Sequence, residues 1–173
     1  MLVLYQLTLT LFPHYSRSLA FIVASLHIIS PAGLFLSAPY AESSCALLSF
    51  AGTFAFYGSF PKSGLLGNLL VLLSGLLFGC ATTFRSNGIL NGLLLLEEAI
   101  RLVLSLKDGR EIAKIIRILS TGAAGIICGA GFILPQYIAY TEYCGGHSLV
   151  RPWCVRTIPS IYIFVQDHYW YAC

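Results

Sequence analysis

The side chains able to do chemistry stand in three polar islands within an otherwise apolar chain. The first is Ser30-Pro-Ala-Gly-Leu-Phe-Leu-Ser-Ala-Pro-Tyr-Ala-Glu-Ser43. Pro31, Gly33 and Pro39 interrupt helical hydrogen bonding, and irregular backbone at membrane depth survives only inside protein or along a wet cavity. Glu42 is then either a carboxylate facing such a cavity or an acid at a helix N-terminus, where its charge suits the dipole. The second island is Thr82-Thr-Phe-Arg85-Ser-Asn87-Gly88. An arginine centred in a bilayer costs roughly 2.5–3.5 kcal/mol, and less where it reaches the interface. Its planar fork matches phosphate oxygens two at a time, so a phosphate-bearing lipid is a fitting partner. A lone arginine is more often an interfacial anchor; the adjoining Asn87-Gly88 adds an amide and a close backbone approach. The third island runs through Arg151-Pro-Trp-Cys154, Pro159-Ser-Ile-Tyr162 and Gln166-Asp-His168-Tyr-Trp170. Gln166 and His168 offer an amide and an imidazole. Tyr162, Tyr169 and Trp170 can stack on sugar faces or sit in an interfacial aromatic belt.

Other combinations carry less. Glu97 and Glu98 lie four and three residues from Arg101, the spacing of an intrahelical ion-pair set. No Ser/His/Asp or Cys/His arrangement, phosphate-binding glycine loop or dinucleotide fingerprint occurs. Of the six cysteines, Cys45, Cys80 and Cys128 stand in apolar stretches and read as small hydrophobes. Cys144 and Cys154 flank a polar segment and can pair if it faces an oxidising compartment. No zinc spacing is present, so no metal is expected.

These islands need a scaffold of apolar helices. Of 173 residues, 57% are hydrophobic and 10% charged, and the mean hydropathy is +0.81; soluble domains carry roughly 25% charged residues. The expected fold class is therefore all-α, a polytopic transmembrane helical bundle. The net charge of +3, without a basic stripe, argues against nucleic acid. Apolar stretches cover residues 1–12, 19–35, 45–60, 65–84, 89–106 and 118–140, and a spanning helix takes about 20 residues. Residues 1–140 thus form a transmembrane region, and residues 141–173 a polar, loop-like segment. The stretch 1–12 lacks a basic n-region and reads as the tail of a helix that begins upstream, so a truncated chain is expected. Gly122, Gly125, Gly129 and Gly131 would let helices approach closely. The basic cluster Lys107, Arg110, Lys114 and Arg117 is placed in the cytosol. Alternating spans then carry all three islands to the opposite face, provided that residues 89–106 span despite Glu97 and Glu98.

The islands in this order, with Phe84-Arg-Ser-Asn-Gly88 and Pro159-x-x-Tyr162-x-x-x-Gln166-x-His168-Tyr-Trp170, resemble the GPI mannosyltransferase 2 family in its fungal form, over nearly the whole chain. The resemblance implies a multi-pass endoplasmic reticulum enzyme of the GT-C class, seen here as a partial fold. Such an enzyme transfers mannose from dolichyl-phosphate mannose to the GPI lipid precursor through an α1,6 bond on the lumenal face. No cofactor is implied, and a small membrane partner subunit is compatible with it. A lumenal acid acts as base on the acceptor hydroxyl, help that is typically worth about 10²–10⁴-fold. That acid is expected upstream of Met1, since no Asp precedes Asp108; this chain alone is expected to be inactive. Arg85 is assigned to phosphate, Glu42 and Asn87 to positioning, and Gln166 and His168 to acceptor or donor contacts. A membrane transporter, a lipid-binding protein and a non-catalytic truncated product are the rivals. A transporter would gather its polar groups near the bilayer midplane rather than at one surface.

Overall fold

A strongly apolar backbone satisfies its own polar groups most simply as α-helix. The computed structural model describes residues 2–13, 17–29, 41–62, 64–106, 112–145, 151–155 and 159–169, with backbone only at 161, 162, 166 and 169. These contain seven α-helices: α1 Leu2–Leu11, α2 Arg17–Ile29, α3 Ala41–Tyr57, α4 Leu65–Phe84, α5 Gly92–Ser105, α6 Ile112–Cys144 and α7 Ile161–Tyr169. Short 3₁₀ turns occupy Ser86–Asn91 and Pro152–Val155, and no strand occurs among the described residues. The chain divides into two compact units, Met1–Gly131 and Phe132–Cys173. The division falls one turn before Pro135, which sits inside α6. Proline has no N–H to give the carbonyl of Gly131, so the helical ladder lacks a rung there.

In the first unit the direction of each helix follows from who touches whom. Glu42 meets Arg85, and Gly52 lies under the Phe78 ring, so α3 and α4 are antiparallel. Arg117 reaches Gly67, Ala124 abuts Gly75, and Ile127 and Cys128 abut Gly79. These contacts climb in step, so α4 and α6 run parallel. Between them α5 runs back, with Gly92 beside Cys128 and Glu98 beside Arg117. The segment 86–105 therefore returns the chain toward the end where α4 began. At 14 residues, α5 is about 21 Å long, shorter than a bilayer core. Among the described residues two helices, Leu65–Phe84 and Ile112–Cys144, are long and apolar enough to cross a membrane, with mean hydropathies of 2.0 and 1.8 over an 18-residue stretch.

The core joins Phe56, Val71, Phe78, Leu95, Ala124 and Cys128, with Tyr57 and Leu94 against it. Outside it, Leu65, Leu66, Leu69, Leu73 and Leu76 point away from the protein. An apolar outer row of this length suits hydrocarbon and not water. Polar residues inside the helices are satisfied locally. Ser74, Thr82 and Thr121 donate to the carbonyls of Val71, Phe78 and Arg117 at 2.7–2.9 Å. Cys128 is buried as expected, Cys45 is half-buried, and Cys80 faces outward.

The small residues divide into two sets. A Cβ on Gly75 would come within 2.6 Å of Ala124, and one on Gly79 within 2.8 Å of the Ile127 carbonyl. Gly131 lies against the Gly79 backbone, whereas Gly122, Gly125 and Gly129 face open space. Of the four glycines expected to mediate close approach, Gly131 does so within the first unit. Overpacking of such a contact costs typically about 1–3 kcal/mol. Gly79→Leu is accordingly expected to lower the thermal midpoint of the detergent-solubilised protein, read by size exclusion after heating, and Gly125→Leu to leave it unchanged. Equal midpoints for the two variants would show that this contact does not hold the helices.

Candidate functional site

Two of the three islands contribute to one ion pair. Glu42 lies in the first turn of α3, where the dipole favours a carboxylate. Arg85 follows the last residue of α4 in an extended conformation, φ −145° and ψ 132°, which ends the helix and turns its side chain across to α3. Its Nη1 donates to Glu42 Oε1 at 2.5 Å. The side chains remain 44% and 36% exposed, so as a stabilising contact the pair is worth little, about 0–1 kcal/mol in water. Its value is positional. A carboxylate on one edge of the guanidinium fixes its plane, and a guanidinium has further N–H donors beyond the one engaged here.

The loop after Arg85 is held from below. Gly88 is buried, and a Cβ there would lie 2.6 Å from the Thr82 amide nitrogen, so the close approach expected at this glycine is to the protein's own backbone. Asn87 is exposed on the same turn, next to Arg85. Asn91, which the sequence reading passed over, donates at 2.9 Å to both Ser49 Oγ and the Gly88 carbonyl. It thereby ties the turn to α3. The remainder of the first island, residues 30–40, lies outside the described residues.

A second polar cluster closes the opposite end of the same helices. Arg117 is turned inward: Nη1 donates to the Gly67 carbonyl at 3.0 Å, Nη2 to Ser59 Oγ at 2.8 Å, and Nε stands 3.6 Å from Glu98 Oε1. The side chains of Arg117 and Glu98 are 14% and 7% exposed, and Phe60 lies under the guanidinium at 5.7 Å. This corrects one expectation. Glu97 pairs with Arg101 one turn on, at 2.6 Å, but Glu98 leaves that set for Arg117. Helix α6 begins at Ile112 and presents Arg117 to α4. Lys107 and Arg110 lie outside the described residues. A cleft of about 510 Å³ opens beside this network, between Lys62, Asn68, Leu102 and Lys114. A smaller one of about 220 Å³ lies between Tyr57, Leu94 and Arg101.

The second unit is less loop-like than its composition suggests. Helix α6 runs on to Cys144, and α7 carries the third island. Cys144 and Cys154 form a disulfide with Cα atoms 5.7 Å apart, the pairing that the sequence allowed. Trp153 is buried, Arg151 stacks over Tyr143 at 4.9 Å, and Ser160 donates to Gln136 Oε1 at 2.6 Å. His168 is exposed and stacks on Phe164 at 5.3 Å. Gln166 is on the same helix; its side chain, like those of Tyr162 and Tyr169, and the whole of Trp170 lie outside the described residues.

The sequence matches the family described as Mannosyltransferase (PIG-V) over residues 2–172. The chain belongs to that family. It is 44% identical to the GPI mannosyltransferase 2 of Gibberella zeae over 98% of its length. It is 40% identical to that of Aspergillus fumigatus and 32% identical to that of Yarrowia lipolytica, each over 98% of its length. The chain spans about 40% of each of these relatives. No solved structure matches it. The Glu42–Arg85 pair joins two of the motifs on which the resemblance rests.

The buried pair and the exposed pair should respond differently to substitution. Removing one partner of a buried pair costs about 3–5 kcal/mol, whereas replacing both by apolar residues is often neutral. Glu98→Leu is expected to lower the thermal midpoint strongly, and Glu98→Leu with Arg117→Met to regain a large part of the loss. Glu42→Ala should shift it little. A double variant as unstable as Glu98→Leu would contradict this account.

Proposed function

We propose that this chain is part of a GT-C mannosyltransferase that adds the second mannose of the GPI precursor, through an α1,6 bond, with dolichyl-phosphate mannose as donor. The carrying observation is the Glu42–Arg85 contact, 43 residues apart in sequence, set in a chain related throughout to fungal GPI mannosyltransferase 2. Arg85 takes the donor phosphate and stabilises the charge that gathers on it as the sugar leaves. Glu42 holds the guanidinium plane, and Asn87 positions the sugar–phosphate linkage. Gln166 and His168 contact acceptor or donor from the second unit. The reaction is an inverting displacement, in which an acid outside these 173 residues takes the proton from the acceptor hydroxyl.

In this reading the enzyme is a multi-pass protein of the endoplasmic reticulum, and the islands face the lumen. Three features support it. The start of α4 and the start of α6 share one end of the first unit, with Lys62, Lys114 and Arg117 nearby, as a positively charged cytosolic side would have. Arg85 and Glu42 share the other end. The Cys144–Cys154 disulfide suits an oxidising lumen. A small membrane subunit belongs to the same reading, and the open glycine face of α6 offers a further helix room to approach.

The test is Arg85→Ala in the intact family enzyme, assayed in microsomes with labelled donor. Loss of one charge-assisted phosphate contact, worth roughly 1.5–3 kcal/mol, should raise the donor KM or lower kcat/KM by about ten- to a hundredfold. Arg85→Lys should restore part of it. Unchanged donor dependence would remove Arg85 from the reaction. The isolated 173-residue chain is expected to show no turnover of dolichyl-phosphate mannose, and turnover would contradict the placement of the base outside it.

A further inference from the structure

The turn that carries Arg85 is fastened to α3 at two points, and only one of them involves charge. Glu42 and Ser49 stand seven residues apart on α3. That is close to two full turns, so they share one face of the helix and lie about 10 Å apart along its axis. Arg85 meets the first, and Asn91 meets the second.

Asn91 stands immediately before α5, where an asparagine ordinarily caps its own helix through the side-chain oxygen. It makes no such cap here. Its Nδ2 is directed backward and across instead, to the Gly88 carbonyl and to Ser49 Oγ, each at 2.9 Å. An amide nitrogen carries two hydrogens, so both are spent. Gly88 in turn donates its N–H to the Arg85 carbonyl at 2.8 Å. Both backbone polar groups of Gly88 are therefore engaged, one by Arg85 and one by Asn91. A Cβ at this residue would collide with the Thr82 backbone, so the turn is also pressed onto the end of α4.

The two anchors differ in kind. The Arg85–Glu42 pair is substantially exposed and holds little by itself. The Asn91–Ser49 bond is part-buried, where water competes less, and leaving such groups unpaired costs more than the bond itself gains. The neutral clamp sets where the turn lies on α3, and the guanidinium follows it.

We propose that Asn91 and Ser49 are positioning residues for a phosphate-bearing donor: acting through Gly88, they hold the 85–91 turn in the register that lays Arg85 against Glu42. The proposal rests on the reading that Arg85 takes the donor phosphate, and it adds two residues that touch no substrate. Without the clamp the turn loses its fixed place on α3, and the guanidinium loses its orientation toward the phosphate. Donor use then falls, while acceptor binding is untouched.

The experiment measures donor KM, acceptor KM and kcat in microsomes for the intact family enzyme. The variants are Asn91→Leu, Ser49→Ala, Ser49→Thr, Arg85→Ala, and Asn91→Leu combined with Arg85→Ala. Asn91→Leu should raise donor KM by about three- to tenfold, the scale of one hydrogen bond, with acceptor KM unchanged. Ser49→Ala removes one of the two bonds and should shift donor KM less, in the same direction. Ser49→Thr keeps a hydroxyl and should shift it least. In the Arg85→Ala background Asn91→Leu should add nothing further, because residues acting through one contact are not additive. A purely structural contact would instead lower the amount of active enzyme. Loss of kcat with both KM values unchanged, or a full additional loss in the double variant, therefore overturns the proposal. If Asn91→Leu does not accumulate, Ser49→Ala decides the matter, and a parental donor KM there overturns it. Arg85→Ala without effect on donor KM removes the phosphate reading, and this proposal falls with it. Arg85→Ala that raises donor KM, beside an Asn91→Leu enzyme that behaves like the parent, removes this proposal alone.

Discussion

Backbone contact between α4 and α6 sets the rest of the first unit. Two helices can meet at that distance only where side chains are absent, and Gly75, Gly79 and Gly131 provide the absence. In lipid no general hydrophobic force presses helices together, since acyl chains are as apolar as leucine. The attraction must come from dispersion at short range, which falls away with a gap of even half an ångström to one ångström. Once α4 and α6 lie side by side and parallel, α5 has to run back between their ends. The antiparallel α3 then packs across α4 with Gly52 under Phe78.

That arrangement gives the two ends of α4 different chemistry. At its start the polar groups are turned inward and satisfy one another: Arg117 serves a carbonyl, a hydroxyl and a carboxylate at once. At its finish Arg85 and Glu42 stay half-open to the surroundings. A buried ion pair is weak support for stability but penalises any packing that separates its members. The inward network therefore favours one register, and the outward pair stays accessible.

Much of this was legible in the residues. Composition dictated helices, and the 20-residue stretch from Leu65 stands as one helix with the predicted bounds. Glu42 and Arg85 were picked out singly, for reasons of helix dipole and phosphate chemistry, yet nothing local announces that they touch; their contact depends on how two helices are paired. Asn91 escaped notice because an asparagine after a glycine turn looks like ordinary loop chemistry, and its partners are 42 and three residues away. Glu98 was misassigned for a related reason. Spacing along a helix finds Arg101, while burial selects Arg117, 19 positions away on another helix. Residues 161–169 read as loop because polar and aromatic types dominate, although their helix needs only nine residues and a neighbouring scaffold. Disulfide pairing was open in the sequence and needed only the 5.7 Å between Cα atoms to be decided.

The hydroxyls of Ser74, Thr82 and Thr121 all bond back into the helices that carry them. Between the polar contacts at their two ends, these helices meet largely by contour. An outward-facing leucine can then be exchanged for isoleucine or phenylalanine at little energetic consequence, while a methyl added at Gly75, Gly79 or Gly131 meets backbone and forces a shift. Sequence drift in this scaffold is expected to run freely over its outside and to halt at its seams.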